Sequence, residues 1–170
     1  MLLSKVTFFT SLGCENMTHN AGMHEKGSYT LGNLLDNIRQ NEDCEKTGAI
    51  AIFIGVARGE NSIGQKVQKL TLEAYEEKAN ETLEKICDAL QKKPGIVTVQ
   101  IHHLLGEFKV GEDLVYVAVA GSHRPEVFSI LREAVERYKH EVPVFKKETI
   151  IDSGGETHES WVSEKEQSNE

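Results

Sequence analysis

The run GAIAIFIGVAR, residues 48–58, constrains the fold of this chain more than any other stretch. It is almost continuously apolar and carries several β-branched residues, the pattern of a strand covered on both faces. It ends at Arg58, and RGENSIGQK, rich in Gly, Asn and Ser, reads as a loop. VQKLTLEAY then alternates well enough for a second strand. Glu76 to Lys92 reads as a helix with Ala79, Leu83, Ile86, Cys87 and Leu90 on one face. Pro94 and Gly95 break it. IVTVQIHHLLG follows as a third strand, with Val97, Val99 and Ile101 alternating against polar neighbours. GEFKVGED is expected to turn the chain into a fourth strand, LVYVAVAG. Pro125 suits the first turn of a second helix running to about His140, with Val127, Leu131, Ala134 and Tyr138 inward. Pro143 stops that helix before a fifth strand, VFKKETI. The order β-β-α-β-β-α-β indicates an α+β fold, with helices packed on a mixed, largely antiparallel sheet.

Residues 1–47 are different in kind. Most of the stretch GCENMTHNAGMHEKGS has no sustained period and is expected to be loop, after which Thr30 caps a short helix. Leu31, Leu34, Leu35 and Ile38 give that helix one apolar face, with which the segment docks on the main body. Three parts are expected: an N-terminal extension over residues 1–47, a main domain over 48–163 and an acidic tail over 164–170. A chain of 170 residues forms a core without a metal or disulfide staple. Its cysteines, Cys14, Cys44 and Cys87, are odd in number and too far apart for a redox pair or zinc ribbon, which points to a reducing, cytoplasmic setting. No apolar run has the length of a membrane span, and the chain start lacks a basic leader.

A formal charge of −8 argues against general affinity for nucleic acid or anionic lipid. Against that background RYKHEVPVFKK, residues 137–147, sets Arg137, Lys139, Lys146 and Lys147 against Glu141 alone, which suggests a site for a small anion. Three basic clusters stand at element ends. Arg58 follows the first strand, His123 and Arg124 precede the second long helix, and Lys139 and Lys146 flank Pro143. Unpaired backbone N–H groups at a helix N-terminus favour a phosphate, and arginine adds a planar fork that matches its oxygens. Lys146 and Lys147 adjoin on a strand and must point to opposite faces. If Lys146 faces inward beside Lys139, the two ammonium groups lower each other's pKa and make proton transfer near neutrality feasible. His102 and His103 alternate faces with no ligand partners at metal spacing, so no metal site is expected. Trp161 with Val162 reads as a late apolar anchor.

Taken in order, GAIAIFIGVAR, LTLEAYEEKA, the turn Gly106–Glu112, VAVAGSHRPEVF, VPVFKKE and Trp161-Val162 make the chain resemble the large, catalytic subunits of molybdopterin synthase. Phe145 stands where that family often has tryptophan, and Lys165 where an arginine often follows the Trp-Val pair. The resemblance implies an α/β-hammerhead subunit that forms a homodimer within a heterotetramer, with a small ubiquitin-like sulfur carrier at each end. It also implies sulfur transfer from the carrier's C-terminal Gly-Gly thiocarboxylate to cyclic pyranopterin monophosphate, without a cofactor in this subunit. Residue by residue, it marks Arg58, His123 and Arg124 as substrate binders, with the His-Arg pair reaching the neighbouring protomer's pocket, and Lys139 and Lys146 as the catalytic pair. The competing expectation is a non-catalytic anion-binding or scaffold module on the same fold. The presence of both lysines and the His-Arg pair speaks against it.

Overall fold

The computed structural model describes residues 20–152 and 154–162. Its elements are β1 (Ala21–Glu25), α1 (Leu31–Arg39), a 3-10 turn (Cys44–Lys46), β2 (Ala49–Val56), β3 (Lys66–Ala74), α2 (Glu76–Gln91), β4 (Ile96–Lys109), β5 (Asp113–Gly121), α3 (Arg124–Glu141), β6 (Val144–Ile151) and β7 (Thr157–Val162). The strands form one sheet in the order β2-β5-β4-β3-β6-β7, and β1 pairs with β4 beside this path. Every pairing is antiparallel except β1 with β4, so the α+β arrangement expected from the element order is the one found.

β4 organises the sheet. Over its first half it pairs with β5, and from Gly106 to Lys109 it pairs with β3. The bend between the halves falls at Gly106, whose φ of 119° only glycine adopts without strain. At the far end of β5 a Cβ on Gly121 would stand 2.5 Å from the Gly95 carbonyl oxygen, so a side chain there would separate β5 from the turn that leads into β4.

The alternation of β5 divides the core into two. Val115, Val117 and Val119 face α2 and α3, together with Val99, Ile101 and the predicted α2 stripe of Ala79, Leu83, Ile86, Cys87 and Leu90. Tyr116, Ala118 and Ala120 face the other way, where Leu34 and Ile38 of α1 meet Leu70, Leu72, Leu104 and Phe108. Small alanines on that face let the short helix approach closely. Thr30 caps α1 with a reciprocal pair of bonds to Asn33, as its residue type suggests. In α3 the buried stripe is Val127, Ile130, Ala134 and Tyr138, with Leu131 at its margin.

Several sequence expectations are corrected. β2 is an edge strand whose two faces are covered only in part: Ala51 and Phe53 pack on one core and Ile52 and Ile54 on the other, while Ile50 and Val56 are exposed. Residues 21–25 are a strand and not loop, because the backbone of β1 fills the stretch of β4 that β3 leaves open. GEFK continues β4 through Phe108, which is buried, so only Val110–Glu112 turns. The polar residues of β4 are not solvent-facing either. Thr98, Gln100 and His102 are buried on the α1 face, because this central strand is covered on both sides. Trp161 lies on β7 and is 58% exposed, over Lys147 and not anchored in the core. Cys14 and Lys165 lie outside the described residues.

Candidate active site

The register Ala49↔Gly121 at one end of the β2–β5 pair and Val56↔Asp113 at the other decides which basic clusters can meet. His123 and Arg124 follow Gly121, while Arg58 follows Val56. Eight strand residues therefore separate them along the sheet, on the order of 25 Å at ~3.3 Å per residue. α3 gives a similar measure, since the fifteen residues from Arg124 to Lys139 rise about 22 Å.

At the first end the backbone does the positioning. His123 is the N-cap of the 18-residue helix α3, in extended conformation, with Arg124 and Pro125 opening the first turn. No side chain caps the helix, so its first amides and the positive end of its dipole face outward. His123 and Arg124 are exposed and make no ion pair among the described residues.

The second end is built from side chains. Arg58 is exposed, but Ala57 before it is buried and held on both sides: its N–H donates to the Glu112 carbonyl, and its carbonyl accepts from Gly111. Lys139, exposed on the last turn of α3, holds its ammonium 5.9 Å from the centroid of the Phe53 ring on β2. Lys146 is mostly covered, and its ammonium lies 3.2 Å from Oε1 of Glu148, which is 3% exposed. Both stand on the α1 face of β6, opposite Leu72 and Leu70. Lys147 points to the other face, as strand alternation requires. There it pairs with Glu159 at 3.0 Å and lies under Trp161, and the Glu159 hydrogen bond raises its pKa.

Each of the two candidate catalytic lysines thus has its own partner, a carboxylate for Lys146 and a ring face for Lys139. Glu148 and Phe53 belong to the arrangement although sequence reasoning did not single them out. For Glu148 a signal existed: it stands two residues after Lys146 on a strand, hence on the same face. Phe53 sits inside a uniformly apolar run, where nothing distinguishes it from its neighbours. Such a site can stabilise negative charge at the Lys146 end and hold a phosphate-like group at the helix end, but one chain does not bring the two ends together. The exposed trio Asp152, Glu156 and His158 could surround a cation, yet it lies apart from these residues in sequence and is joined by its own hydrogen bonds.

Comparison with known proteins gives the family of the chain. The family model described as MoaE protein matches residues 29–141, which include α1, Arg58, His123, Arg124 and Lys139 and stop short of Lys146. A molybdopterin synthase catalytic subunit from Pyrococcus abyssi is 43% identical over 117 residues, covering 68% of this chain and 74% of that one. The crystal structure of molybdopterin synthase from Staphylococcus aureus superposes with a TM-score of 0.71 at 27% identity, over 85% of this chain and 98% of that one. A complex of subunits 1 and 2 of the molybdopterin-converting factor from Helicobacter pylori shares the fold, with a TM-score of 0.64 at 20% identity over 82% and 88% of the two chains. Among the described residues no helix is long and apolar enough to cross a membrane. With a family model spanning more than half of its length, the chain belongs to the MoaE family, the catalytic subunits of molybdopterin synthase that act in sulfur transfer for molybdenum cofactor biosynthesis.

Proposed function

We propose that the chain moves sulfur from the C-terminal Gly-Gly thiocarboxylate of a small ubiquitin-like carrier to cyclic pyranopterin monophosphate, twice, to give the dithiolene of molybdopterin. The observation that carries this reading is the separation of the two basic ends. A substrate with a phosphate at one side and reacting carbons at the other needs both, and a second copy of the chain supplies the missing end. β2 is an open edge with Ile50 and Val56 exposed, and the α3 packed on it exposes Phe128 one turn after Arg124. This apolar margin suits a homodimer in which His123 and Arg124 of one copy complete the pocket of the other. The carrier subunits complete a heterotetramer, a reading supported by the Helicobacter pylori structure of this fold, which is itself a complex of two subunits.

In that pocket Lys146 orients the thiocarboxylate and stabilises negative charge on the acyl group as sulfur leaves it, while Glu148 holds the ammonium in place. Lys139 serves the carbon that receives sulfur, by charge stabilisation and proton transfer. Each new carbon–sulfur bond replaces a carbon–oxygen bond of the pterin side chain, whose oxygen leaves in protonated form or stays with the phosphate. Water then cleaves the acyl–sulfur bond and returns an oxygen to the acyl carbon, and the carrier departs as a carboxylate. Arg58, His123 and Arg124 hold the phosphate and pterin. Incubation with thiocarboxylated carrier and the cyclic pterin should yield the dithiolene by mass spectrometry, with the carrier converted to its carboxylate. Binding of both partners without product would favour the scaffold reading instead.

A further inference from the structure

We propose that Glu112, gripped by Lys26 of the N-terminal segment, positions Arg58 for the substrate, a role that rests on the reading of Arg58 as a substrate binder. The turn Gly106–Glu112 is one of the segments that carry the family resemblance, and the chemistry proposed above gives it no task. Arg58 is exposed and makes no ion pair among the described residues, so its guanidinium is placed by whatever holds its backbone. The β2–β5 ladder does not hold it. That ladder slips between Gly55 and Val56, and β2 ends at Val56, opposite Asp113.

The β4–β5 turn holds it instead. The Glu112 N–H donates to the Lys109 carbonyl at 3.1 Å, which closes the hairpin. Two further backbone groups of the turn serve a different segment: the Gly111 N–H donates to the Ala57 carbonyl at 2.8 Å, and the Glu112 carbonyl accepts the Ala57 N–H at 3.0 Å. Gly111 has a φ of 89°, which glycine adopts freely. On the far side of Arg58, a Cβ on Gly59 would stand 3.3 Å from Val110 Cγ1, so the turn lies close against the chain there too. Arg58 is thus flanked before and after by Val110–Glu112. The Glu112 side chain fixes the turn in its place, because its Oε2 accepts both the Lys109 N–H, at 2.7 Å, and the Lys26 ammonium. That ammonium also donates to the Glu107 carbonyl at 2.9 Å and lies 5.2 Å from the centroid of the buried Phe108 ring. The Lys26 N–H donates to the Leu105 carbonyl at 2.9 Å. An exposed ion pair alone contributes little, but here both partners are tied to the backbone of β4 as well. Contacts therefore run from Lys26 through Glu112 to Ala57, and a support of this kind sets where a binding group waits for its ligand.

Glu112→Ala removes the carboxylate and leaves the backbone groups of the turn in place. Hydrogen exchange of the Ala57 and Gly111 amides in that chain should quicken at least about tenfold, while Val117 in β5 stays protected. With thiocarboxylated carrier saturating, KM for the cyclic pterin should rise about fivefold and kcat should stay within about twofold. Lys26→Met should act in the same direction, and Lys26→Arg, which keeps the charge, should keep the unmodified KM. If Glu112 acts through Arg58, adding Glu112→Ala to Arg58→Ala raises KM no further. Unchanged amide exchange in Glu112→Ala overturns the proposal. Losses that multiply in the double variant, or a fall in kcat in place of a rise in KM, overturn it too, because they mark a general effect on the fold. An unchanged KM in Arg58→Ala removes the substrate role of Arg58 itself, and the positioning role with it, whatever the exchange shows.

Discussion

The two ends of the sheet solve the same electrostatic problem in different ways. Where β5 runs into α3, positive potential comes from an uncapped helix terminus and two exposed side chains, His123 and Arg124, all in contact with water. Where β6 leaves Pro143, a lysine is drawn largely out of water and fixed by a buried carboxylate, Glu148. The first arrangement suits the holding of an anion without favouring any moment of a reaction. The second fixes a charge in a place that excludes water, where it acts strongly on charge that develops during chemistry. On the proposed function, the phosphate is held at the first end and the reaction takes place at the second, with Arg58 beside it.

The largest effect expected from this contrast is at Lys146. Lys146→Ala should reduce turnover by at least about a hundredfold, as for the loss of one charge-stabilising group, while Lys147→Ala, on the opposite face, leaves it nearly unchanged. Equal losses in two folded variants would dissolve the distinction between faces. Next comes Glu148→Gln, which keeps the shape but leaves the ammonium without its counter-charge. A fall in kcat of about tenfold with KM little changed is expected, because the misplaced lysine matters most in the transition state. Arg124→Ala should do the reverse, raising KM about tenfold at nearly constant kcat, since a phosphate contact remote from the reacting carbons is similar in ground and transition states. A large fall in kcat at saturating substrate would move Arg124 to the reacting end.

How much of this was legible depends on what each signal was a signal of. The α2 stripe was read residue for residue because its 3.6-residue period reports burial directly. β1 and β7 were missed because their sequences, AGMHE and THESWV, hold their places by backbone pairing and carry little apolar alternation. The apolar run of β2 was read as a strand covered on both faces; it is a strand, but at the sheet margin, where β5 pairs with one edge and the other stays open. For the candidate site, residue types at element ends singled out Arg58, His123, Arg124, Lys139 and Lys146 as candidates. Their division between two ends follows from strand register, which no local pattern encodes.

The last expected effect is on stability and not on turnover, and concerns β4, which both ends share. His103 is buried against Tyr138, and burial lowers its pKa to about 4. The unfolded chain therefore binds a proton near pH 6.5 that the folded chain refuses until about pH 4. Its contribution is fully present above pH 6.5 and falls away as pH drops through that window, by roughly 3 kcal/mol. Urea midpoints measured across this range should fall for the unmodified chain and flatten in His103→Gln.

In the proposed dimer the two ends that complete one site come from different copies. Lys146→Ala and Arg124→Ala chains, each impaired alone, can be unfolded and refolded together so that copies mix, and assayed with thiocarboxylated carrier at low pterin. Mixed dimers then hold one site with both groups intact and one with neither, and about a quarter of the unmodified activity should return. If the mixture shows only the average of the two separate variants, each site lies within a single chain, and the composite pocket is contradicted.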